Sequence, residues 1–230
     1  MSDAISKKIN AELPVNPHPR KEYTAKGSNS LRCENCMLSK PLCICHKRSP
    51  YKLTGENPVH ICLLMHKEEA YKPTNTGRLI EHILPGITHR YYWHRTEPDT
   101  QFLALLKNKT FQPYIIFPDD RGGYEERVVS RASEYSDKTP LFIILDGSWR
   151  QAGRMFRLSK YLQDLPVLPL TTTRNSQYKL RKAPNEFHLC TAEVAIELLI
   201  QHEQKTAAQA LNDYFNHFNE AYAQSRRVKK

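Results

Sequence analysis

The chain has 230 residues, enough for one large domain with a substantial buried core. No apolar run reaches the roughly 18 residues of a membrane-spanning helix, and the N-terminal segment is polar, so we expect a cytoplasmic protein without a membrane partner. With 34 Lys and Arg against 24 Asp and Glu, the formal net charge is +10, which favours a polyanionic partner.

The N-terminal part divides into two segments of different composition. Residues 1–30 are polar, contain Pro14, Pro17 and Pro19, and have no hydrophobic period, which predicts a mobile arm. Residues 31–50 contain four cysteines within thirteen residues, spaced C-x2-C-x6-C-x-C: Cys33, Cys36, Cys43 and Cys45. Four thiolates are the ligand set of a closed, tetrahedral structural zinc site.

Residues 31–50 are therefore predicted to form a small zinc-binding element. His46 could replace Cys45 as the fourth ligand, and plain reduced thiols are the simplest alternative. Redox chemistry is disfavoured, since a C-x-x-C pair needs no second pair beside it. A catalytic zinc of the deaminase type is a poor match, because the H-x-E at His66 and Glu68 follows the cysteines instead of preceding them.

Residues 51–223 alternate short apolar runs with amphipathic segments. The pattern predicts strands at 59–65, 87–94, 114–117, 141–145 and 167–170. It predicts helices at 77–84, 99–107 and 191–204, the last with Thr191 as its cap, and two further helices that begin at residues 148 and 206. This order predicts an α/β fold with a mostly parallel sheet flanked by helices. The apolar stripe of the last helix indicates core packing, and residues 224–230 are predicted to be a basic tail.

The strand predicted at 141–145 ends at an acid. Asp146 and Gly147 follow it, and Ser148 with Gln151 fits a capping box at the start of a helix. In open α/β sheets, ligands bind at the carboxyl ends of strands, and a helix N-terminus favours an anionic group there. The alternative is that Asp146 and Ser148 are only turn and cap residues.

Positive charge is concentrated after this acid. Between Arg150 and Lys182 there are eight basic residues and one acid, Asp164, a net charge of 8 − 1 = +7 in 33 residues. Arg150, Arg154 and Arg157 share one face of the predicted helix, and guanidinium groups pair bidentately with phosphates. Nucleic acid is the first candidate partner, and a solvated basic face is the alternative.

The common nucleotide and hydrolase motifs are absent from the sequence. It contains no G-x-G-x-x-G and no P-loop motif, and no G-x-S-x-G precedes a helix. Ordinary Rossmann, P-loop and serine-hydrolase interpretations therefore have no support, and a cofactor loop in this chain would be of another kind.

Several spaced motifs together resemble the DTW-domain family. The tetrad at Asp146-Gly147-Ser148-Trp149 is similar to its D-x-T-W signature, with Ser in place of Thr. The resemblance extends over about residues 31–203. It includes the cysteine pattern, the H…E…NTGR segment (His66, Glu68, Asn75, Thr76, Gly77, Arg78), the Y…R…P loop (Tyr178, Arg181, Pro184) and the S-T-x-E-A helix start at Cys190–Val194.

The resemblance implies a tRNA-uridine aminocarboxypropyltransferase with a SPOUT-like, knotted cofactor site. S-adenosylmethionine would supply its 3-amino-3-carboxypropyl group to N3 of a uridine, with release of methylthioadenosine. A uridine of the variable loop is favoured over one of the D loop, and both a monomer and a homodimer are compatible with the sequence.

The resemblance also implies roles for individual residues. Asp146 would be the catalytic residue, as the base for the N3 proton, as a ligand of the co-substrate's amino group, or as the partner of its sulfonium. The co-substrate would contact His66, Asn75, Thr76, Gly77, Arg78, Asp146, Gly147, Ser148 and Trp149, and the RNA would contact Arg150, Arg154, Arg157, Tyr178, Lys179 and Arg181. The amides at Ser148 and Trp149, or alternatively Arg78, would bind the co-substrate's carboxylate, and Tyr178 would stack on the uridine. A noncatalytic, zinc-stabilised RNA-binding protein and a SAM-dependent RNA methyltransferase are the alternatives.

Overall fold

A computed structural model describes residues 31–52, 58–119, 122–132, 137–170, 176–178 and 189–227, without the side chains of residues 226 and 227. Its strands are β1 (His60–Met65), β2 (Thr88–Tyr92), β3 (Phe111–Ile116), β4 (Thr139–Asp146) and β5 (Val167–Leu168). Its α-helices are α1 (Gly77–Ile83), α2 (Thr100–Leu106), α3 (Trp149–Leu158), α4 (Thr191–Gln201) and α5 (Lys205–Arg227).

The five strands form one parallel sheet in the spatial order β2-β1-β4-β3-β5. β1 and β4 lie at its centre and are apolar on both faces, as expected where helices cover both sides of a parallel sheet. Alternate residues of β4 face opposite layers: Phe142 and Ile144 pack with α1, α4 and α5, whereas Ile143 and Leu145 pack with α2 and α3. The predicted α/β fold with a parallel sheet is confirmed.

The chain leaves β1 and β4 in opposite directions. β1 leads through α1 to β2 on one side, whereas β4 leads through α3 to β5 on the other. The register places Met65 beside Asp146, so the two strands end together, and the backbone amide of His66 donates to the carbonyl of Asp146 (2.9 Å). Ligands of open α/β sheets bind at such a switch point, which is where the sequence places Asp146.

Two predictions about the last two helices differ from the structure. The N-cap of α4 is Cys190, whose amide donates to the Glu193 carboxylate (2.8 Å), so Thr191 is the first helical residue and the prediction that it caps the helix was wrong. α5 continues to Arg227, so residues 224–227, predicted to belong to a tail, extend the last helix. The predicted core stripe of this helix is confirmed, because Leu211, Phe215 and Phe218 are fully buried.

Other predictions fall on parts of the chain outside the described residues. They concern the arm at 1–30, and the basic loop at 171–175 and 179–188, which contains Lys179, Arg181 and Pro184. The knotted SPOUT-like crossover stays a prediction. No helix among the described residues combines the length and the apolar character needed to cross a membrane.

Candidate functional site

The Asp146 carboxylate lies buried at the switch point, 1% exposed. Its Oδ2 accepts a hydrogen bond from the side-chain amide of Asn75 (2.8 Å), and its Oδ1 accepts one from the hydroxyl of Thr191 (2.7 Å). The three residues come from the end of β4, the loop after β1 and the first turn of α4. One carboxylate thus joins three segments that are far apart in sequence.

The position of this carboxylate leaves no room for a side chain at Gly77. A Cβ atom on Gly77 would lie 3.1 Å from Cγ of Asp146, which is a tight contact, and 2.6 Å from its Oδ2, which is closer than a methyl group can approach. The neighbouring Thr76 contributes to the same junction, because its hydroxyl accepts a hydrogen bond from the backbone amide of Ala192 in α4 (3.2 Å). Each residue of the Asn75–Thr76–Gly77 segment therefore has its own contact: Asn75 and Gly77 with Asp146, and Thr76 with α4.

Arg78 stabilises the loop that carries these residues. Its guanidinium is mostly buried and donates to the carbonyls of Lys72 (2.9 Å), Ala70 (3.3 Å) and Asn75 (3.3 Å). Burial lowers the pKa of Arg78, and the nearby Asp146 carboxylate acts in the opposite direction. Arg78 was predicted to bind the carboxylate of the co-substrate. Its guanidinium instead donates to three backbone carbonyls, which favours a role in stabilising the loop.

A second buried acid lies under the same loop. Glu69 is fully buried; its carboxylate accepts from Lys72 Nζ (2.6 Å), and its Oε2 lies 3.4 Å from the Asn75 amide nitrogen. Asn75 is thus placed between two carboxylates, Glu69 and Asp146. No periodic signal in the sequence points to Glu69, since it lies in a polar loop whose fold depends on distant contacts.

The predicted capping box at the start of α3 is confirmed. Gln151 Oε1 accepts from the Ser148 backbone amide (2.8 Å), and the Ser148 hydroxyl accepts from the Gln151 amide (3.4 Å). The Ser148 amide is therefore occupied within the protein, which weakens its proposed part in binding a co-substrate carboxylate. Gly147 and Trp149, on either side, are half-buried.

The other end of the Gln151 side chain reaches the loop after β1. Its amide nitrogen lies 3.1 Å from Nδ1 of His66 and donates to the carboxylate of Glu68 (2.9 Å). His66 stacks on Trp93, with ring centroids 5.8 Å apart and planes at 21°, and burial lowers the pKa of His66. The sequence motifs identified His66 and Glu68 but not Gln151 and Trp93 as their partners.

A signal for Trp93 existed in the sequence. It lies near the end of the strand predicted at 87–94. In a parallel sheet the carboxyl ends of all strands lie on the same side, so Trp93 is expected on the same side of the sheet as His66. Its indole N–H donates to the hydroxyl of Ser159 (2.7 Å), which in turn donates to the carbonyl of Met155 in α3 (2.6 Å). These bonds hold the ring in place beside the site.

The predicted RNA-binding residues separate into exposed and buried groups. Arg150, Arg154 and Arg157 are exposed on one face of α3, opposite its buried face of Ala152, Met155 and Phe156. Tyr178, in contrast, is only 8% exposed: its ring contacts Phe215 and its hydroxyl donates to the carbonyl of Thr74. This position favours a packing role for Tyr178 over stacking on an RNA base.

The four cysteines of residues 31–50 come together. Their sulfur atoms lie within 4.8 Å of one another, with 3.6 Å between Cys33 and Cys45 and 3.8 Å between Cys36 and Cys43. A tetrahedron with Zn–S bonds of about 2.3 Å has edges of about 3.8 Å, so the cluster fits zinc. The sulfurs are too far apart for a disulfide of about 2.05 Å, and the exposed His46 is not in the cluster.

The backbone around the cysteines is shaped for such a cluster. Met37 has a positive φ of 59°, which lets the chain turn so that the amide of Cys33 donates to the carbonyl of Leu38 (2.8 Å). The amide of Cys45 points at the sulfur of Cys43 (3.5 Å). Burial acts to raise the pKa of Cys33, but hydrogen bonds from the amides of Cys36 and Asn35 and from neighbouring thiols lower it to about 7.

Comparisons with known proteins agree with these motifs. A family model described as the DTW domain matches residues 30–223. The chain is similar to tRNA-uridine aminocarboxypropyltransferase 2 of Macaca fascicularis, with 25% identity over 190 residues, which cover 80% of this chain and 57% of that protein. The chain thus spans less than two thirds of the length of this curated relative. No solved structure matches the chain significantly.

We expect Cys36→Ser to lower zinc content and stability together, because folding and metal binding are coupled in closed thiolate sites. Cys36 is fully buried within the cluster. Metal analysis of the purified variant, with urea unfolding, measures both quantities. Cys62→Ala is the matched control, since Cys62 is equally buried but lies in β1 and should leave the zinc stoichiometry unchanged. A native protein that is metal-free and stable would contradict the zinc assignment.

We expect Gly77→Ala to destabilise the protein by about 1–3 kcal/mol, the usual cost of overpacking a filled site. The new methyl group would collide with Asp146, which the Asn75 and Thr191 hydrogen bonds hold in place. Urea unfolding gives the free energy. Gly86→Ala is the control, because a Cβ atom on Gly86 would meet no atom of the described residues within 4 Å. Equal stability of the two variants would mean that the carboxylate moves freely.

Proposed function

Because the chain belongs to the DTW-domain family, we propose that it transfers the 3-amino-3-carboxypropyl group of S-adenosylmethionine to N3 of a uridine in tRNA. The observation that carries the proposal is the buried Asp146 carboxylate, held by Asn75 and Thr191 at the switch point of the sheet. The family motifs of three separate segments meet at this carboxylate. The name of the curated relative, a tRNA-uridine aminocarboxypropyltransferase, supports transfer of this group to a tRNA uridine.

The proposed reaction is a displacement at the methylene carbon bonded to the sulfonium. The bond from uridine N3 to this carbon forms as the carbon–sulfur bond breaks, and methylthioadenosine leaves as a neutral thioether. The N3 proton is lost to water in the crevice. Since the leaving group is already cationic in the ground state, it needs no acid catalyst, and the protein contributes mainly by aligning N3, carbon and sulfur.

The surroundings of Asp146 favour one of its two candidate roles. Both carboxylate oxygens already accept hydrogen bonds within the protein, which hold the carboxylate in one orientation and present its negative charge at a fixed position. We therefore assign Asp146 to the cationic part of the co-substrate, its amino group or its sulfonium, instead of to the N3 proton. Gly147, Trp149 and the 75–77 segment would complete the walls of this pocket.

The RNA would lie over the exposed face of α3. Arg150, Arg154 and Arg157 can each pair bidentately with a phosphate, and α3 begins directly after the Asp146–Ser148 turn at the site. Lys179 and Arg181, which lie outside the described residues, are proposed as further RNA contacts. The proposal further includes structural zinc at the four cysteines, a SPOUT-like, knotted cofactor site, and action as either a monomer or a homodimer.

Product analysis tests the reaction directly. The purified protein is incubated with unmodified tRNA and S-adenosylmethionine, and the digested nucleosides are analysed by mass spectrometry. We expect aminocarboxypropyluridine together with methylthioadenosine, and neither product from Asp146→Asn at unchanged tRNA affinity and zinc content. S-adenosylhomocysteine with a methylated nucleoside would instead identify a methyltransferase. Bound tRNA without any product would favour a noncatalytic RNA-binding protein.

We expect Arg154→Ala with Arg157→Ala to weaken tRNA binding and to reduce the slope of log K against log salt by roughly 1.4–1.8, the value for two lost phosphate contacts. Filter binding at several salt concentrations measures both effects. Lys107→Ala with Lys109→Ala is the matched control. These exposed lysines precede β3, so they lie at the amino ends of the strands, whereas the site lies at the carboxyl ends. If both double variants changed the slope equally, the arginine face would have no special role.

A further inference from the structure

The orientation of the Gln151 side chain is fixed by its partners. Its Oε1 faces two donors, the backbone amide and the hydroxyl of Ser148, at 2.8 and 2.9 Å. A backbone N–H can only donate, so the atom facing it must be the oxygen. The opposite atom is therefore the NH2 group, and its contact with the Glu68 carboxylate agrees with this assignment, since a carboxylate can only accept.

This orientation determines which nitrogen of His66 carries a proton. Nδ1 of His66 faces the NH2 group of Gln151 at 3.1 Å, and the backbone amide of Glu68 points at the same nitrogen at 3.4 Å. Two donors directed at Nδ1 require it to accept, so it is unprotonated. In a neutral imidazole the hydrogen is then on Nε2.

The surroundings of His66 favour the neutral ring. It is nearly buried and stacks on Trp93, and burial lowers its pKa. The charged side chains near it are those of its own loop, the carboxylates of Glu68 and Glu69 and the ammonium groups of Lys67 and Lys72, which act in opposite directions. Within the described part of the chain, no hydrogen bond engages Nε2 of His66. This leaves one N–H donor beside the carboxyl end of β1 for another molecule.

We propose that Gln151 is a positioning residue that fixes His66 as its Nε2–H tautomer, and that this N–H donates to a carbonyl oxygen of the uracil ring. The inference rests on the proposed function. When N3 loses its proton, the negative charge spreads onto O2 and O4 of the base. A preorganised donor at one of these oxygens stabilises that charge without any proton transfer to the protein.

The tautomer separates this role from base catalysis. A histidine base would need an unprotonated nitrogen facing the substrate, whereas here the unprotonated nitrogen faces Gln151 and Glu68. His66 thus complements Asp146: one residue stabilises the developing anion on the nucleophile, and the other binds the cation of the co-substrate. Gln151 does not touch either reactant in this arrangement and acts through His66.

Gln151→Glu tests the inference and keeps the capping box, although it loses the hydrogen bond to the exposed Glu68 carboxylate and places a second carboxylate beside it. Glu at this position forms the same capping box, because its carboxylate accepts from the Ser148 amide as Oε1 of Gln151 does. Its second oxygen would face Nδ1 of His66 as an acceptor and would favour the Nδ1–H tautomer. Gln101→Glu is the matched control: it makes the same substitution on an exposed residue in the first turn of α2.

The primary measurement is ¹⁵N NMR of the His66 ring at a pH where it is neutral. We expect Nε2–H in the native protein and in Gln101→Glu, and Nδ1–H in Gln151→Glu. The transfer assay on the same samples should show kcat reduced roughly 10²- to 10³-fold in Gln151→Glu alone, the effect of losing one preorganised donor, with zinc content and tRNA affinity unchanged.

Each outcome is distinguishable. Nδ1–H in the native protein would overturn the tautomer assignment, and full activity of Gln151→Glu despite a reversed tautomer would overturn the donor role. A native protein that shows Nε2–H but makes no aminocarboxypropyluridine would refute the proposed reaction, while the tautomer assignment would remain supported.

Discussion

The structure depends on the burial of one negative charge. Removing a carboxylate from water costs several kcal/mol unless donors replace the lost solvent, and Asp146 is 1% exposed at the end of the central strand. Its side-chain donors Asn75 and Thr191 come from outside β4, one from a loop and the other from a helix. The requirement for Gly77 follows from the same constraint, since a side chain there would occupy the space of the carboxylate.

Charge is arranged in two layers around this point. The interior of the site contains two buried carboxylates, with Glu69 paired to Lys72 and Asp146 near the buried Arg78, whereas the exposed face of α3 carries three arginines. Under the proposed function, the Asp146 carboxylate would bind the cationic co-substrate and the arginine face would bind the polyanion. Because only Gly147 and Ser148 separate Asp146 from α3, the two layers are joined by a single short segment, and the distance between them is fixed by the backbone.

Residue types and spacings that act locally could be read from the sequence. The apolar runs predicted a parallel α/β sheet, the Ser148–Gln151 spacing predicted a capping box, and the cysteine spacing predicted a four-sulfur cluster; all three are present. Contacts between distant segments could not be read. Thr191 resembles a helix cap, but its hydroxyl donates to Asp146, and Tyr178 resembles an exposed base-stacking residue, but its ring packs on Phe215.

The sequence by itself determined which groups are present: four cysteines near one another, an acid at the end of a buried strand, and basic residues recurring on one helix face. These features depend on backbone period and on spacing of a few residues, which are local properties of the chain. Only the tertiary structure decided how the polar groups are used. Asp146 is a hydrogen-bonded anchor, Arg78 supports a loop, and Gln151 joins the cap of α3 to His66. The physical reason is that a buried polar group must find its partners wherever the fold brings them, and these partners lie 45 to 85 residues away along the chain for Thr191, Asn75 and Gln151.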